Sequence, residues 1–189
     1  MATVVNQTRV GAPLNVAGGI FSAPLGTALP TDATVTLDEA FKIGGLISEE
    51  GLKEAPTRST DKVKSWGGHL ARVLQSEYSI TVTFTIIERT EESLKDVFGD
   101  ANVTSAPGAG GTNRSILKKA DQLPIKSRVA DMKDGAAKIR LVYPSSQITE
   151  VGESQYHHGG LISYPVTVEC YPDENGVYGY EYEFVPDAT

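Results

Sequence analysis

The sequence contains one cysteine, Cys170, so it can form neither an internal disulfide nor a cysteine-rich zinc site. It has no stretch approaching about 18 consecutive apolar residues, which excludes a helical membrane span. The opening residues, Met1 to Arg9, lack a charged start followed by an apolar run, so no secretory signal is expected. On that expectation the N-x-[ST] matches beginning at Asn6, Asn102 and Asn113 are chance. Basic side chains stop at Arg140. Beyond it stand Glu150, Glu153, Glu169, Asp173, Glu174, Glu181, Glu183 and Asp187, with no Lys or Arg. Residues 1–140 carry 17 basic and 16 acidic side chains, so the net charge of −7 originates in the C-terminal part. That balance argues against a surface that grips nucleic acid generally. The acidic stretch is rich in tyrosine and valine, which points to a structured acidic surface rather than a disordered tail. Charge is also scarce at the other end, where Arg9 and Asp32 are the only ionisable side chains in residues 1–36.

What is present suits one globular domain. A chain of 189 residues and 20.2 kDa, 40% hydrophobic, hides roughly 70% of its unfolded surface on folding. Residues 1–36 are interrupted by Gly18-Gly19, Pro24, Gly26 and Pro30. They are too apolar for a solvated linker and are expected to form an extended arm lying against a neighbouring subunit. Residues 37–189 are expected to form a single mainly β domain: an antiparallel β-sandwich or barrel of seven or so strands with one short flanking α-helix. Long loops are expected at about 47–62 and 101–124.

The clearest strand runs from Ser79 to Ile87, where Ile80, Val82, Phe84 and Ile86 alternate with Thr81, Thr83 and Thr85. Strands at 125–132 and 136–143 flank Lys133-Asp134-Gly135, which predicts a tight hairpin. A second hairpin is expected from strands at 162–171 and 177–185 around Asn175-Gly176. Weaker strands are expected at 41–47 and 62–73, the latter carrying Trp66 and broken by Gly67-Gly68. A helix is predicted over 91–98, capped by Thr90, with Glu91 and Glu92 at its positive end and Gly99 as terminator. Its Leu94, Val97 and Phe98 form an i, i+3, i+4 stripe, and a helix so short must draw its stability from packing.

Chemical motifs are weak. Gly108 to Gly111 lack the lysine and the leading strand of a phosphate-binding loop, and the composition of 105–112 reads as a flexible connection. His157-His158 would converge on one metal ion only in a turn, with Glu150 and Glu153 as further ligands; a polar loop is the simpler reading. No G-x-S-x-G elbow motivates a hydrolase triad. Cys170 falls in an alternating strand, where a small buried hydrophobe is expected. No catalytic residue, cofactor or metal is assigned. Tyr178, Tyr180, Tyr182 and Phe184 make an aromatic row, read as core or interface because its surroundings are acidic rather than basic. The opposite face of that strand presents Glu181 and Glu183.

Two segments carry a resemblance. Gly19-Ile20-Phe21-Ser22-Ala23-Pro24-Leu25-Gly26-Thr27-Ala28-Leu29-Pro30-Thr31-Asp32-Ala33 resembles the N-terminal arm of major tail tube proteins of long-tailed bacteriophages. The stretch from Leu37 to Leu52 looks like the same family's next strand and the start of a long loop. Ser65-Trp66-Gly67-Gly68, the Thr-rich strand at 79–87 and the helix ending Val97-Phe98-Gly99 continue the similarity, which covers roughly residues 18–100. It is nearest to tail proteins of phages infecting actinobacteria. The C-terminal half has no matching motif, although its expected hairpins are compatible.

The resemblance implies a structural virion protein assembled in the host bacterial cytoplasm. Six copies would form a ring, and rings would stack along a tape measure protein into the tube through which double-stranded DNA passes transiently. Tail terminator and baseplate or tip proteins would be its other partners. Pro24, Leu25, Leu29, Pro30, Ile47, Leu52 and Trp66 are the candidate inter-subunit contacts. Glu181 and Glu183 are candidates for the lumen, where like charge would keep DNA from adhering. Other readings stay open: another tail, neck or secretion-tube subunit of the same barrel, a small ligand-binding β-barrel, or a β-rich enzyme.

Overall fold

The computed structural model describes residues 8–186. Asn6, Asp187 and the first seven residues of the expected arm lie outside the described residues. The elements in chain order are β1 (Ala12–Pro13), β2 (Ile20–Pro24), β3 (Lys42–Ile43), β4 (Lys53–Lys64) and β5 (Leu70–Ile86), then α1 (Glu91–Phe98). After a 3₁₀ turn at Asp100–Asn102 follow β6 (Val103–Gly108), β7 (Gly111–Ile116), β8 (Lys126–Asp134), β9 (Ala137–Val151), β10 (Tyr164–Tyr171) and β11 (Tyr180–Phe184).

One antiparallel sheet runs β3-β2-β8-β9-β10-β5-β4, with β1 also on β8 and β11 also on β9, while β6 and β7 pair separately. The bend comes from β9. Its first half pairs with β11 through Lys138–Val142, and its second half pairs with β10 through Ser145–Val151. Register irregularities beside it, at Lys126/Arg128 in β8 and Thr167/Val168 in β10, add local twist. The sheet thus folds over itself into two layers. Ile20, Ala130 and Tyr143 from one layer meet Ile80, Val82, Phe84, Ile148, Val166, Val168 and Cys170 from the other.

The alternation of β5 is realised: Ile80, Val82, Phe84 and Ile86 are buried while the threonines between them are half-exposed. Helix α1 closes one end of the core as expected. The Thr90 hydroxyl accepts from the Ser93 amide at 3.1 Å, and Gly99 ends the helix at φ 94°. Leu94 and Val97 are buried, and Phe98 meets the Tyr164 ring edge-on at 5.7 Å. The β8–β9 hairpin also forms, turning at Gly135 with φ 59°.

Several expectations are corrected. The stretch 47–62 is not a long loop: residues 53–64 form β4, which pairs with β5 along its whole length. The weak strand at 62–73 is the far end of that hairpin, and Gly67-Gly68 form its turn, with the Gly68 amide donating to Ser65 O at 2.8 Å. The loop at 101–124 contains the β6–β7 hairpin, and Gly110, at φ 80°, supplies its turn rather than a flexible link. The strand at 41–47 shrinks to Lys42–Ile43. The hairpin expected at 162–185 is absent, because β10 and β11 lie end to end along the same edge of β9. Asn175-Gly176 does turn the chain, held by Asp173 Oδ1, but the strands it joins pair elsewhere.

The N-terminal segment is only partly an arm. Ile20–Pro24 is strand β2, inserted between β8 and β3, with Ile20 and Ala23 buried. Deletion of these residues removes a piece of the main sheet.

Candidate assembly surfaces

The outer face of the β2–β8–β9–β11 layer is covered by the chain's own residues 29–41. Leu29, Leu37, Ala40 and Phe41 pack on Phe21, Ala23, Val129 and Val142, joined by Tyr180 and Tyr182. The two tyrosine rings stack at 6.1 Å, 2° apart. Tyr178 instead turns inward and meets Tyr78 edge-on at 5.1 Å. The aromatic row is therefore divided between the two faces of the fold, and only Phe184 is exposed.

A buried ion pair ties this covering down. Arg140 grips Asp131 bidentately, Nε to Oδ1 at 2.6 Å and Nη2 to Oδ2 at 2.8 Å, with both residues only 4% exposed. Its Nη1 donates to the backbone carbonyls of Asp32, at 2.9 Å, and Val35, at 2.7 Å. Asp32 caps the same turn by accepting from the Thr34 hydroxyl and the amides of Thr34 and Val35, which holds its carboxyl below the ordinary value. A second network sits beneath α1, where buried Asp96 meets Lys126 at 3.1 Å and Arg128 at 3.4 Å. Neither network was legible in the sequence. The only local signal was a charged residue at a position of a β-period where an apolar one was expected.

The candidate contacts divide into two sets. Pro24 and Leu25, at the end of β2, and Trp66, at the tip of the β4–β5 hairpin, are exposed. Pro30 is buried within its own chain, Leu29 is half-buried under the 29–41 covering, and Ile47 and Leu52 pack against the main core. Pro30 and Leu29 therefore spend their apolar surface intramolecularly, because Arg140 pulls the arm back onto its own sheet.

Glu181 and Glu183 lie together on the exposed face of β11. Glu183 accepts from Arg9 Nε at 2.8 Å, a partner 174 residues away that no inspection of neighbouring sequence would find. Glu181 lies on the side of Tyr143, whose hydroxyl donates to Glu54 Oε2 at 2.5 Å. Burial first, then this carboxylate, with smaller contributions from Cys170 and lastly Glu181, push the Tyr143 phenol far above its ordinary value. Cys170 is buried, and burial pushes its thiol up to about 12, which leaves it unreactive. Among the described residues no three His, Cys, Asp or Glu side chains gather closely enough for a metal ion, and His157 and His158 stand exposed in their loop.

The β4–β5 hairpin is the most distinctive surface. From Lys53 to Lys64 and from Leu70 to Glu77 every residue is exposed, including Val63, Leu70, Val73 and Leu74. Cross-strand pairs set apolar beside charged residues on both faces, with Asp61 opposite Leu74, Lys62 opposite Val73 and Val63 opposite Arg72. A two-stranded hairpin with no layer beneath it is marginally stable in water.

A family model described as "phage tail tube protein" matches residues 4–182. The chain belongs to the phage tail tube protein family. It is accordingly a structural component of the phage tail and not an enzyme. Three solved structures resemble this tail tube protein at low identity. A chain of the virion of a native gene transfer agent particle is 14% identical, with 79% of this chain and 92% of that one covered and a TM-score of 0.41. A chain of the anti-feeding prophage cap, which terminates that tube, is 8% identical over 96% and 98%, with a TM-score of 0.44. A chain of the sheath–tube complex of an extracellular contractile injection system, in its extended state, is 9% identical over 95% and 98%, also at 0.44. No curated protein matches. No helix among the described residues is long and apolar enough to cross a membrane.

Proposed function

We propose that this tail tube subunit forms hexameric rings that stack into a hollow tube, the conduit for genome ejection. The β4–β5 hairpin carries the reading. It extends beyond the folded body with apolar side chains on both faces, and burial against further copies would supply the second layer it lacks. The edge strand β4 would be covered in the same step, removing a row of unpaired backbone groups that invites irregular aggregation. Pro24 and Leu25 add a smaller exposed apolar site at the end of β2.

In such a tube Glu181 and Glu183 are proposed to face the lumen. Since Arg9 pairs with Glu183, a ring of six presents about six carboxylates from this strand that have no ion-pair partner among the described residues, and their like charge would repel passing DNA. The ring would assemble in the host cytoplasm around a tape measure protein and be closed by terminator and baseplate or tip proteins. Electron microscopy of the purified protein at high concentration tests the reading. Rings and striated tubes of uniform diameter are expected, and a persistent monomer with no higher assembly would overturn it.

A further inference from the structure

Trp66, the sole tryptophan, stands at the hairpin tip with its side chain entirely in solvent, 105% exposed. At the other end of the same strand lies an apolar cavity of about 230 Å³, lined in part by Gly11, Pro13, Ile20, Ile47, Leu52 and Met132. A dry cavity of about 150 Å³ holds benzene, so this one has room for an indole. Leu52 immediately precedes β4 and Trp66 closely follows it. Twelve extended residues therefore separate socket from knob by roughly 40 Å.

Charge distinguishes the two ends in the same sense. Residues 58–74 carry Arg58, Lys62, Lys64 and Arg72 against Asp61, a net +3 in a chain of −7, which leaves −10 on the rest. Glu49, exposed at the cavity, is part of that acidic remainder. A basic tip and an acidic body are complementary between copies. A knob and a socket at opposite ends of one strand cannot meet within one rigid chain, so they make a head-to-tail contact, which repeats indefinitely along an axis.

We infer that Trp66 of one copy inserts into the cavity beside Leu52 of the next copy, locking successive rings at an axial repeat set by the length of β4. This rests on the tube reading above and adds the surface that receives the tip. Ile47 and Leu52 thereby regain an assembly role, as the walls of the socket rather than as exposed contacts. Basic residues near the tip and Glu49 at the socket make the contact weaken as salt rises.

Three measurements on the full chain test it. Tryptophan emission should shift to the blue and lose acrylamide quenching when tubes form. Trp66→Ala should raise the concentration needed for assembly roughly tenfold or more, with Trp66→Phe restoring most of it. Gly67→Cys combined with Ser48→Cys, half-buried in the wall of the cavity, leaves Trp66 and Glu49 in place, and diamide should join these thiols between copies, because Cys170 is buried and cannot compete. Tubes in which Trp66 stays quenchable, or in which the indole is buried but the thiols do not join, overturn the inference and leave the tube reading standing. Wild-type protein that forms neither rings nor tubes overturns both.

Discussion

Strand β5 passes through two environments. From Ile80 to Ile86 it alternates buried and half-exposed residues and pairs with β10 on one side and, as far as Thr83, with β4 on the other. From Leu70 to Glu77 it has only β4 beside it, and Leu70, Val73 and Leu74 lie in solvent. The two halves do not differ in containing hydrophobic residues. They differ in whether a second layer of the same chain lies over them. An apolar residue in the first half stabilises the monomer, and one in the second half has surface to contribute only when another copy arrives.

Substitutions in the two halves should separate these roles. Phe84→Ala, in the covered half, is expected to destabilise the protein by about 4 kcal/mol. For a chain of this size that lowers the melting temperature by roughly 8–16 °C, read by calorimetry or circular dichroism. A drop of only a degree or two would show that the two layers are not packed on each other.

Arg140→Ala tests the other covering, that of residues 29–41. It strands Asp131 as a buried, unpaired carboxylate and is expected to cost about 3 kcal/mol. It also frees the Asp32–Val35 turn, so protease cleavage near residues 32–36 should accelerate. Unchanged proteolysis would mean that Leu29, Leu37 and Phe41 hold the segment without the arginine.

Acid should loosen the same turn. The folded Asp32 carboxyl lies below its ordinary 3.8 because the Thr34 hydroxyl and two amides donate to it, with Arg140 nearby. A depressed folded value means stability is fully present above the unfolded value and is lost as pH falls through the folded one. The protection of the Thr34 and Val35 amides against hydrogen exchange, taken relative to the intrinsic rate at each pH, should therefore be intact at neutral pH and fall below about pH 3.8. Asp32→Asn should abolish that pH dependence; if it persists unchanged, another group controls the turn.

The smallest effect is expected in the uncovered half. Leu74→Ser should change monomer stability by no more than about 0.5 kcal/mol, because the side chain lies exposed on a hairpin with no second layer over it. The same substitution should impair assembly measured by sedimentation. A large loss of monomer stability would place Leu74 against its own chain instead.

Local patterns were legible without coordinates wherever a structure is specified by near neighbours. The period of two over 79–87, the Thr90 and Gly99 caps of α1 and the Asp134-Gly135 turn all depend on residues within a few positions, and each formed as read. The tail tube resemblance likewise rested on contiguous motifs, and the family match bears it out. Tertiary structure alone decided which strands became partners. Glycine at 67–68 and 108–111 signals a break, but whether a break is a loop or a hairpin turn depends on backbone pairing across it. Asn175-Gly176 turns the chain as expected, yet β11 pairs with β9 because β10 is already paired on both its edges. Arg140 with Asp131, and Arg9 with Glu183, illustrate the same limit. Their charges are visible in the sequence, but burial and long-range closure choose the partner, and neither has a sequence period to announce it.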